Sequence, residues 1–220
     1  GQWTYTMDSA HNEFKAGQSY TDSVTVATAD GTTQVITVTM NGTNDAAVIS
    51  GTSTATLTES NIAQSASGTL TAADVDSATT FIAQTNVAGT NGYGKFTIDA
   101  DGQWTYTMDS AHNEFKAGQA YTDSVTVATA DGTSKVITVT MNGTDDATVI
   151  SGTSTATLTE SNVAQTATGT LTATDADSAA NFVAQTNVAG TNGYGNFSIN
   201  TAGQWTYTMD SAHNEFKAGQ

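Results

Sequence analysis

The stretch "GQWTYTMD" (residues 102–109) carries the pattern on which the fold prediction depends. Trp104, Tyr106 and Met108 fall on one side of an extended chain, and the threonines between them fall on the other. This period of two is typical of a strand with one buried face. The same alternation runs through "DSVTVATADG" (residues 123–132) and "KVITVTMNG" (residues 135–143), and each of them ends at a turn signal. The sequence therefore predicts an all-β protein.

The same letters return at a fixed distance along the chain. The eighteen residues "GQWTYTMDSAHNEFKAGQ" begin at Gly1, Gly102 and Gly203, so the repeat has a period of 101 residues. That period is too long for a solenoid unit and matches one small domain. We therefore predict three segments, which are the C-terminal half of one repeat at 1–46, a complete repeat at 47–147 and the N-terminal part of a third repeat at 148–220.

Each complete repeat is predicted to hold seven strands. They are expected at roughly 48–58, 67–73, 81–87, 93–98, 103–108, 120–129 and 134–142. Short strands separated by turn residues, in a repeat of this size, are typical of a Greek-key β-sandwich of the immunoglobulin type, and tandem copies would be joined end to end. The predicted core consists of Leu57, Leu70, Phe81, Phe96, Ile98, Trp104, Tyr106, Val125, Val127, Ile137 and Val139.

The charge balance argues against several classes of partner. The chain has 21 acidic and 5 basic residues, a net charge of −16 and no cysteine. So acidic a chain is unsuited to binding the phosphates of nucleic acid or of an anionic membrane surface. No apolar run reaches the roughly 18 residues of a membrane span. Because no disulfide can form, bound cations are a candidate substitute for the disulfides on which many exported domains rely.

Most of the acidic residues recur at a few fixed places in the repeat. These places are the linkers, the end of the first strand, the loop after the second strand and the hairpin between strands six and seven. The residues are Asn44, Asp45, Asp145 and Asp146; Glu59 and Glu160; Asp74, Asp76, Asp175 and Asp177; and Asp30 and Asp131.

Alternating strand directions would bring three of these places to one end of the sandwich. The linker, the loop after the second strand and the hairpin would meet there, while Glu59 would lie at the other end, near the next linker. Oxygen ligands in that number suit Ca²⁺, which takes 6–8 of them, whereas Zn²⁺ would want Cys or clustered His. Without an ion the carboxylates would repel one another. The alternative interpretation is that Asp and Asn are simply favoured in turns.

The order of the motifs resembles the VCBS repeat, a cadherin-like domain of giant bacterial secreted adhesins of the RTX type. "GTSTATLTESN", "SGTLTAADVDS", "GKFTIDADGQWTYT", "SVTVATADGT" and "ITVTMNGTNDA" stand in that family's order and spacing. The resemblance implies that the first-strand Glu and the linker acids share calcium with the Asp-x-Asp of the following domain. This role would fall to Glu59, Asp145, Asp146, Asp175 and Asp177, and upstream to Asn44, Asp45, Asp74, Asp76 and Asp131.

The chain departs from the cadherin-like pattern at two places. Where cadherins have Asp-x-Glu before strand six, the chain reads "AHNEF", so only Glu114 matches in the complete repeat. Where the family often has Pro in the linker, the chain has Ala47 and Thr148. A linker without Pro depends more heavily on a bound ion for its rigidity.

Two functions from different classes fit these observations. The first is a calcium-rigidified structural spacer of a long bacterial surface adhesin or extracellular filament, which would act outside the cell in adhesion and biofilm formation. The second is a binding module that recognises glycans or associates with itself. We expect no enzyme, because no catalytic constellation is visible and an active site would not be copied in every repeat. Trp104 and Tyr106 are expected in the core rather than on a sugar-binding surface, and His11, His112 and His213 are expected in loop or packing roles.

The two end segments are expected to be incomplete sandwiches. Residues 1–46 would supply only strands five to seven, and residues 151–220 only strands one to five. Each would leave a sheet face and an edge uncovered, which is unfavourable in water. We therefore expect the end of one copy to combine with the start of the next, either within one continuous array or head to tail between separate chains.

Overall fold

A computed structural model describes residues 1–217. These residues form fifteen strands and no helix, which confirms the predicted all-β class. They group into two compact units. The first unit holds Gly1–His112 and Ala120–Asn142, and the second holds Asn113–Gln119 and the residues from Gly143 onward. The boundaries expected after residues 46 and 147 remain a prediction.

The first unit begins with a single antiparallel hairpin, β1 (Ser19–Ala27) and β2 (Thr33–Asn41). A complete repeat of eight strands follows it in the same unit. These are β3 (Val48–Gly51), β4 (Thr54–Thr58), β5 (Ser65–Ala73), β6 (Gln84–Ala88), β7 (Gly94–Ile98), β8 (Gln103–Met108), β9 (Ala120–Ala128) and β10 (Ser134–Asn142).

The eight strands form two sheets, in the orders β3-β5-β8-β7-β6 and β4-β10-β9. Strands β6, β7 and β8 are consecutive neighbours, and the earlier strand β5 lies beside β8, which is a Greek-key arrangement. Side chains of the two sheets meet in the interior. The Tyr106 hydroxyl of β8, for example, lies 3.4 Å from the Met141 sulfur of β10. The predicted Greek-key sandwich is confirmed.

The first strand is split between the two sheets, where the sequence predicted one strand over 48–58. β3 pairs antiparallel with β5, and β4 pairs parallel with β10. The break follows Gly51, whose φ is +97° and which lies so close to the chain that a Cβ there would be 2.4 Å from the carbonyl oxygen of Thr69. A residue with a side chain cannot easily take that backbone conformation, so glycine allows the strand to change sheets.

The predicted core is confirmed except at one position. Ten of its eleven residues are at most 7% exposed, and Leu57 is only partly buried because it lies on the short strand β4 at the edge of its sheet. Met108 and Met141, which the prediction left out, are buried as well. The strand predicted over 81–87 instead begins at Gln84, and Phe81 forms only an isolated bridge with Thr129.

The second unit contains the third repeat as one five-stranded sheet. Its strands are β11 (Val149–Gly152), β12 (Thr166–Thr174), β13 (Gln185–Ala189), β14 (Gly195–Ile199) and β15 (Gln204–Met209), in the order β11-β12-β15-β14-β13. This order matches the larger sheet of the complete repeat. The residues that correspond to β4, at 155–159, form no strand.

The prediction that residues 1–46 supply strands five to seven is wrong for strand five. Residues 2–7 have the same letters as β8 but form no strand. In the complete repeat β8 is held between β5 and β7, and residues 1–46 offer no strand equivalent to either. Trp3 is consequently 57% exposed, whereas its counterpart Trp104 is 1% exposed.

Candidate metal centre at the acidic linkers

The first linker, residues 42–47, lies against the loop that follows β5. The Ser77 hydroxyl donates a hydrogen bond to the Asn44 side-chain oxygen at 3.0 Å, and the Asp45 N–H lies 3.4 Å from Oδ1 of Asp76. Ala47, at the end of the linker, is buried. The linker and the Asp-x-Asp loop therefore contact each other directly.

Asp74 and Asp76 form an acidic pair with unsatisfied oxygens. Oδ1 of Asp74 accepts hydrogen bonds from the N–H groups of Asp76 at 3.0 Å and Ser77 at 2.6 Å, which fixes the loop. Asp76 is only 5% exposed. Within the described residues, Oδ2 of Asp74 and Oδ2 of Asp76 are both buried without a hydrogen-bond partner. Burial, and then the neighbouring Asp74 carboxyl, raise the pKa of Asp76.

Asp131 reaches the same linker from the hairpin between β9 and β10, but both of its oxygens already have donors. Oδ2 accepts from the Ala47 N–H at 3.0 Å and from the Thr133 hydroxyl at 2.7 Å. Oδ1 accepts from the Thr129 hydroxyl and the Thr133 N–H. These bonds, that of Thr129 foremost, lower the pKa of Asp131. In this arrangement Asp131 holds the linker backbone in place.

The second linker repeats the geometry within the second unit. The Asp146 N–H lies 3.3 Å from Oδ1 of Asp177, and Asp177 is 6% exposed. Asp175 accepts from the N–H groups of Asp177 at 3.2 Å and Ser178 at 2.7 Å.

The second linker has one contact that the first does not have. The hydroxyl of Thr148, which stands where the first linker has Ala47, donates to Oδ2 of Asp175 at 2.6 Å and lowers the pKa of that carboxyl. Because of this extra donor, Asp175 is better satisfied by the protein than Asp74 is.

The predicted glutamate ligands lie in three different environments. Glu59 follows β4 and is 2% exposed, and its N–H donates to the Asn142 carbonyl at 2.8 Å. Its counterpart Glu160 is exposed, after a segment that forms no strand. Glu114 is also exposed. A glutamate carboxylate can be a calcium ligand only where the linker and loop oxygens lie close enough to bind the same ion.

The carboxylates do not by themselves enclose an ion. In the part of the chain that the structure describes, no three or more Asp, Glu or His side chains are gathered into a metal-binding group. What the structure brings together at each linker is a pair of loop carboxylates with oxygen-bearing side chains and N–H groups of the linker. Such mixed oxygen sets fit Ca²⁺, which accepts carboxylate, amide, carbonyl and water oxygens in flexible geometry.

Sequence reasoning missed one acidic residue, Asp123 of β9. It is fully buried and accepts hydrogen bonds from the N–H groups of Asn91 at 2.9 Å, Tyr93 at 3.0 Å and Gly94 at 3.2 Å, and from the Tyr106 hydroxyl at 3.3 Å. The signal was present, because Asp123 continues the inward alternation that Val125 and Val127 follow. Its donors mark it as the anchor of the 89–94 turn rather than as a metal ligand.

The three histidines have a shared local structure. His11, His112 and His213 have positive φ values of 52°, 57° and 51°. The ring of His11 lies 2.6 Å from the Asp8 carboxylate and 2.7 Å from Glu13, and stacks on Phe14 with a centroid distance of 4.7 Å. These contacts fit the expected packing role.

Comparisons with known proteins give a family match and a set of structural likenesses. Residues 44–143 match the family described as "Bacterial cadherin-like domain". No curated protein matches the sequence. The chain is similar to a solved structure of "PcdhgB3 EC1-4 in 50 mM HEPES", with 12% identity and a TM-score of 0.48, over 88% of this chain and 57% of that one.

A second solved structure, "Crystal structure of the Protocadherin GammaB4 extracellular domain", shares 13% identity at a TM-score of 0.41. It is matched over 88% of this chain and 32% of its own length, so the chain spans only part of either protein. Among residues 1–217, nothing helical has the length and apolar character of a bilayer span.

Proposed function

We propose, from the cadherin-like match over residues 44–143, that this chain is a series of calcium-rigidified spacer repeats. Cadherin-like domains are an extracellular, non-enzymatic domain type associated with adhesion. The finer proposal is that the repeats belong to a long bacterial surface adhesin of the VCBS and RTX kind, or to an extracellular filament, and act in cell adhesion and biofilm formation. Their first partners are the neighbouring repeats of the same chain.

The observation that carries the proposal is the unsatisfied acidic pair at the first linker. Oδ2 of Asp74 and Oδ2 of Asp76 are buried without a hydrogen-bond partner among residues 1–217, and Asp76 faces the linker backbone. Leaving a buried carboxylate oxygen unpaired is costly, and more so beside a second carboxylate. A divalent cation removes both costs at once.

The proposed ligands fall into two sets with the same plan. Calcium, when bound, would neutralise the carboxylates and tie each linker to the loop beneath it. The first set comprises Asn44, Asp45, Asp74 and Asp76, and the second comprises Asp145, Asp146, Asp175 and Asp177. Asp131 orients the first linker through the Ala47 N–H, and Thr148 orients Asp175. Glu59, Glu114 and Glu160 are proposed as further ligands from their places in the repeat, whereas the hydrogen bonds of Asp131 leave it the role of a positioning residue rather than the ligand role expected from the sequence.

The proposal is tested by a calcium titration of the 220-residue chain. We expect the thermal midpoint to rise and the small-angle scattering curve to change towards a straighter particle, with half-saturation at about 10⁻⁴–10⁻³ M as in other extracellular modules. EDTA should reverse both changes. A thermal midpoint and a scattering curve that calcium leaves unchanged would refute the calcium part of the proposal.

The alternative of a glycan-binding module has less support. The two aromatic residues that could have formed a sugar platform in the complete repeat, Trp104 and Tyr106, are 1% and 0% exposed. A glycan array probed with the chain remains the direct test, and specific binding there would favour the alternative.

A further inference from the structure

The first linker is tied to the repeat before it at Gly42. The Gly42 N–H donates to the Gln18 carbonyl at 2.9 Å, and a Cβ at Gly42 would lie 2.2 Å from the carbonyl oxygen of Lys15. Gly143 has the same place in the second linker, and its N–H donates to the Gln119 carbonyl at 3.0 Å. Only glycine allows two stretches of backbone to approach this closely. The start of the linker is therefore fixed on the preceding repeat.

The end of the same linker is tied to the complete repeat at Ala47. Ala47 is 6% exposed, and its N–H has two acceptors, Oδ2 of Asp131 at 3.0 Å and the Thr133 hydroxyl at 3.1 Å. Both acceptors lie on the turn between β9 and β10. A hydrogen bond to an ionised carboxylate is stronger than one between neutral groups. The end of the linker is thus held by groups of the protein itself.

The hairpin turn orients the Asp131 carboxylate without help from the linker. Oδ1 of Asp131 accepts from the fully buried Thr129 hydroxyl and from the Thr133 N–H at 3.1 Å. Asp30, in the same place on the β1–β2 hairpin, accepts the equivalent bond from the Thr32 N–H at 3.1 Å although it is exposed. The turn therefore forms by itself, and the linker N–H meets an acceptor that is already in position.

The residues between the two fixed ends, 43–46, are held more weakly. Of these residues, Asp45 is partly buried and the others are exposed. The Asn44 side-chain oxygen accepts from the Ser77 hydroxyl at 3.0 Å, and the Asp45 N–H lies 3.4 Å from Oδ1 of Asp76. Asp45 and Asp76 carry charges of the same sign, so their carboxylates repel each other when no cation is bound.

We propose that Asp131 is an ion-independent clamp on the linker, which confines bending between the two repeats to residues 43–46. Asp131 is a positioning residue in this role, because it acts on the Ala47 backbone and leaves ion binding to the linker and loop oxygens. The location of the hinge does not require calcium. Its closure by an ion, through Asn44 and Asp45, rests on the proposed spacer function.

The clamp limits how far the linker can open. A free segment of the length of residues 43–46 spans at most about 14 Å. Without the clamp, the free segment would include Ala47 and would reach Val48, the first residue of β3, which pairs with Ala73. The clamp therefore allows the linker to bend in its ion-free state while the first strand of the sandwich stays paired.

The test is ¹⁵N relaxation and amide hydrogen exchange of the 220-residue chain in EDTA. We expect the order parameter to fall below about 0.6 within residues 43–46 and to stay at about 0.85 at Gly42 and Ala47. The Ala47 amide should exchange at least tenfold more slowly than that of Asp45, after correction for intrinsic rates, an order of magnitude that corresponds to about 1.4 kcal/mol. A mobile segment that includes Ala47, or equal exchange at Ala47 and Asp45, overturns the proposal.

Asp131→Ala removes the clamp, and a core amide serves as the internal reference. The Leu70 N–H is buried and donates to the Gly102 carbonyl at 2.9 Å. Exchange at Ala47 should rise about tenfold more than exchange at Leu70. Asp30→Ala removes the same carboxylate from the equivalent turn and should leave Ala47 unchanged. Equal increases at Ala47 and Leu70 would mean that Asp131 only supports the fold, which overturns the proposal.

Asp131→Asn keeps the proposal testable if the alanine variant does not fold. The amide retains an acceptor oxygen but loses the charge, so exchange at Ala47 should rise by a smaller factor, about threefold relative to Leu70. In that case an unchanged Ala47 amide overturns the proposal. Because every arm contains EDTA, such a failure leaves the calcium spacer proposal standing, and a failed calcium titration leaves the clamp standing.

Discussion

At the scale of single residues, the acidic side chains of this protein have environments of two kinds. Asp123 is fully buried, and both of its oxygens meet N–H donors, so its charge is satisfied by the protein. Asp76 is almost as buried but lies beside Asp74, and an oxygen of each has no hydrogen-bond partner in residues 1–217. The first arrangement stabilises the fold by itself, whereas the second is the arrangement on which the calcium proposal rests.

The substitution Asp76→Asn should therefore weaken calcium binding. Loss of one carboxylate is expected to reduce affinity about tenfold, which removes about 1.4 kcal/mol of calcium-linked stability at saturating calcium. Thermal melts at several calcium concentrations measure it. In EDTA the same variant should be as stable as the wild type or more so, because a repulsive buried charge is gone. A variant that loses stability equally with and without calcium would contradict the ligand role.

The substitution Asp123→Asn should destabilise the folded chain by about 2–3 kcal/mol, because the amide group turns a donor towards buried N–H groups that need an acceptor. Urea denaturation followed by tryptophan fluorescence measures the loss, and calcium should not restore it. Asp22→Asn is the matched control, because Asp22 has the same place in the repeat as Asp123 but is exposed on β1, and it should change the free energy of unfolding very little. Equal effects from the two variants would contradict the role assigned to the 89–94 turn.

The histidines give a pH dependence with a definite sign. The hydrogen bond that the His11 ring donates to the Glu13 carboxylate, and then the one that it donates to Asp8, raise the pKa of His11, and Glu215 raises the pKa of His213. A raised folded pKa means that the contribution to stability is fully present below the ordinary value of 6.5 and is lost as the pH rises through the folded value. NMR titration should find both rings above 6.5. Glu13→Gln should lower the pKa of His11 and leave that of His213 unchanged.

At the scale of elements, the division of the first strand is what joins the two sheets of the complete repeat along one edge. β3 is an edge strand of the larger sheet and β4 is an edge strand of the smaller one, so a single stretch of chain forms one edge of each sheet. The change of sheet depends on Gly51, with its positive φ and its close approach to Thr69. Strand propensity alone gives no reason for a break there, since threonines and apolar residues alternate on both sides.

Gly51→Ala should accordingly destabilise the chain by at least about 2 kcal/mol, from backbone strain together with the clash at the Thr69 carbonyl. Gly92→Ala separates the two causes, because Gly92 also has a positive φ but has open space around it, and we expect a cost of about 1 kcal/mol there. Chemical denaturation of both variants makes the comparison. Equal costs would show that the close approach at Gly51 contributes nothing.

At the scale of the whole molecule, the net charge of −16 opposes compaction in the absence of cations. The repulsion between these negative charges can be reduced in two ways. Monovalent salt screens all charges weakly, whereas a specific ion acts at the linkers, where the buried oxygens lie.

We expect calcium at about 1 mM to raise the thermal midpoint more than magnesium at the same concentration, because Mg²⁺ sheds its waters reluctantly and demands octahedral geometry. Sodium chloride adjusted to the same ionic strength should have the smallest effect. Equal shifts from all three salts would indicate general screening and would remove the case for ion-specific linkers.

The sequence by itself determined the period, the all-β class, the sandwich, most of the core and the places where acids recur. Each of these follows from local alternation and spacing, which any copy of the repeat displays. The burial of Asp123 and the split at Gly51 were not predicted, because each depends on what another part of the chain places opposite it. The calcium ligand sets remain a proposal for the same reason, since spacing brings residues near one end of a fold without fixing how their oxygens point.

Identical letters with different structures show most directly what only the tertiary structure decided. "QWTYTM" forms a strand at 103–108 and at 204–209 but not at 2–7, and "TATLT" forms a strand at 54–58 but not at 155–159. Each of the two segments forms a strand in those copies where a neighbouring strand pairs with its backbone. The same segment forms no strand where residues 1–217 contain no such neighbour. A lone extended segment gains too little to offset its conformational entropy. The sequence specifies which residues can become a strand, and the partner strand decides whether they do.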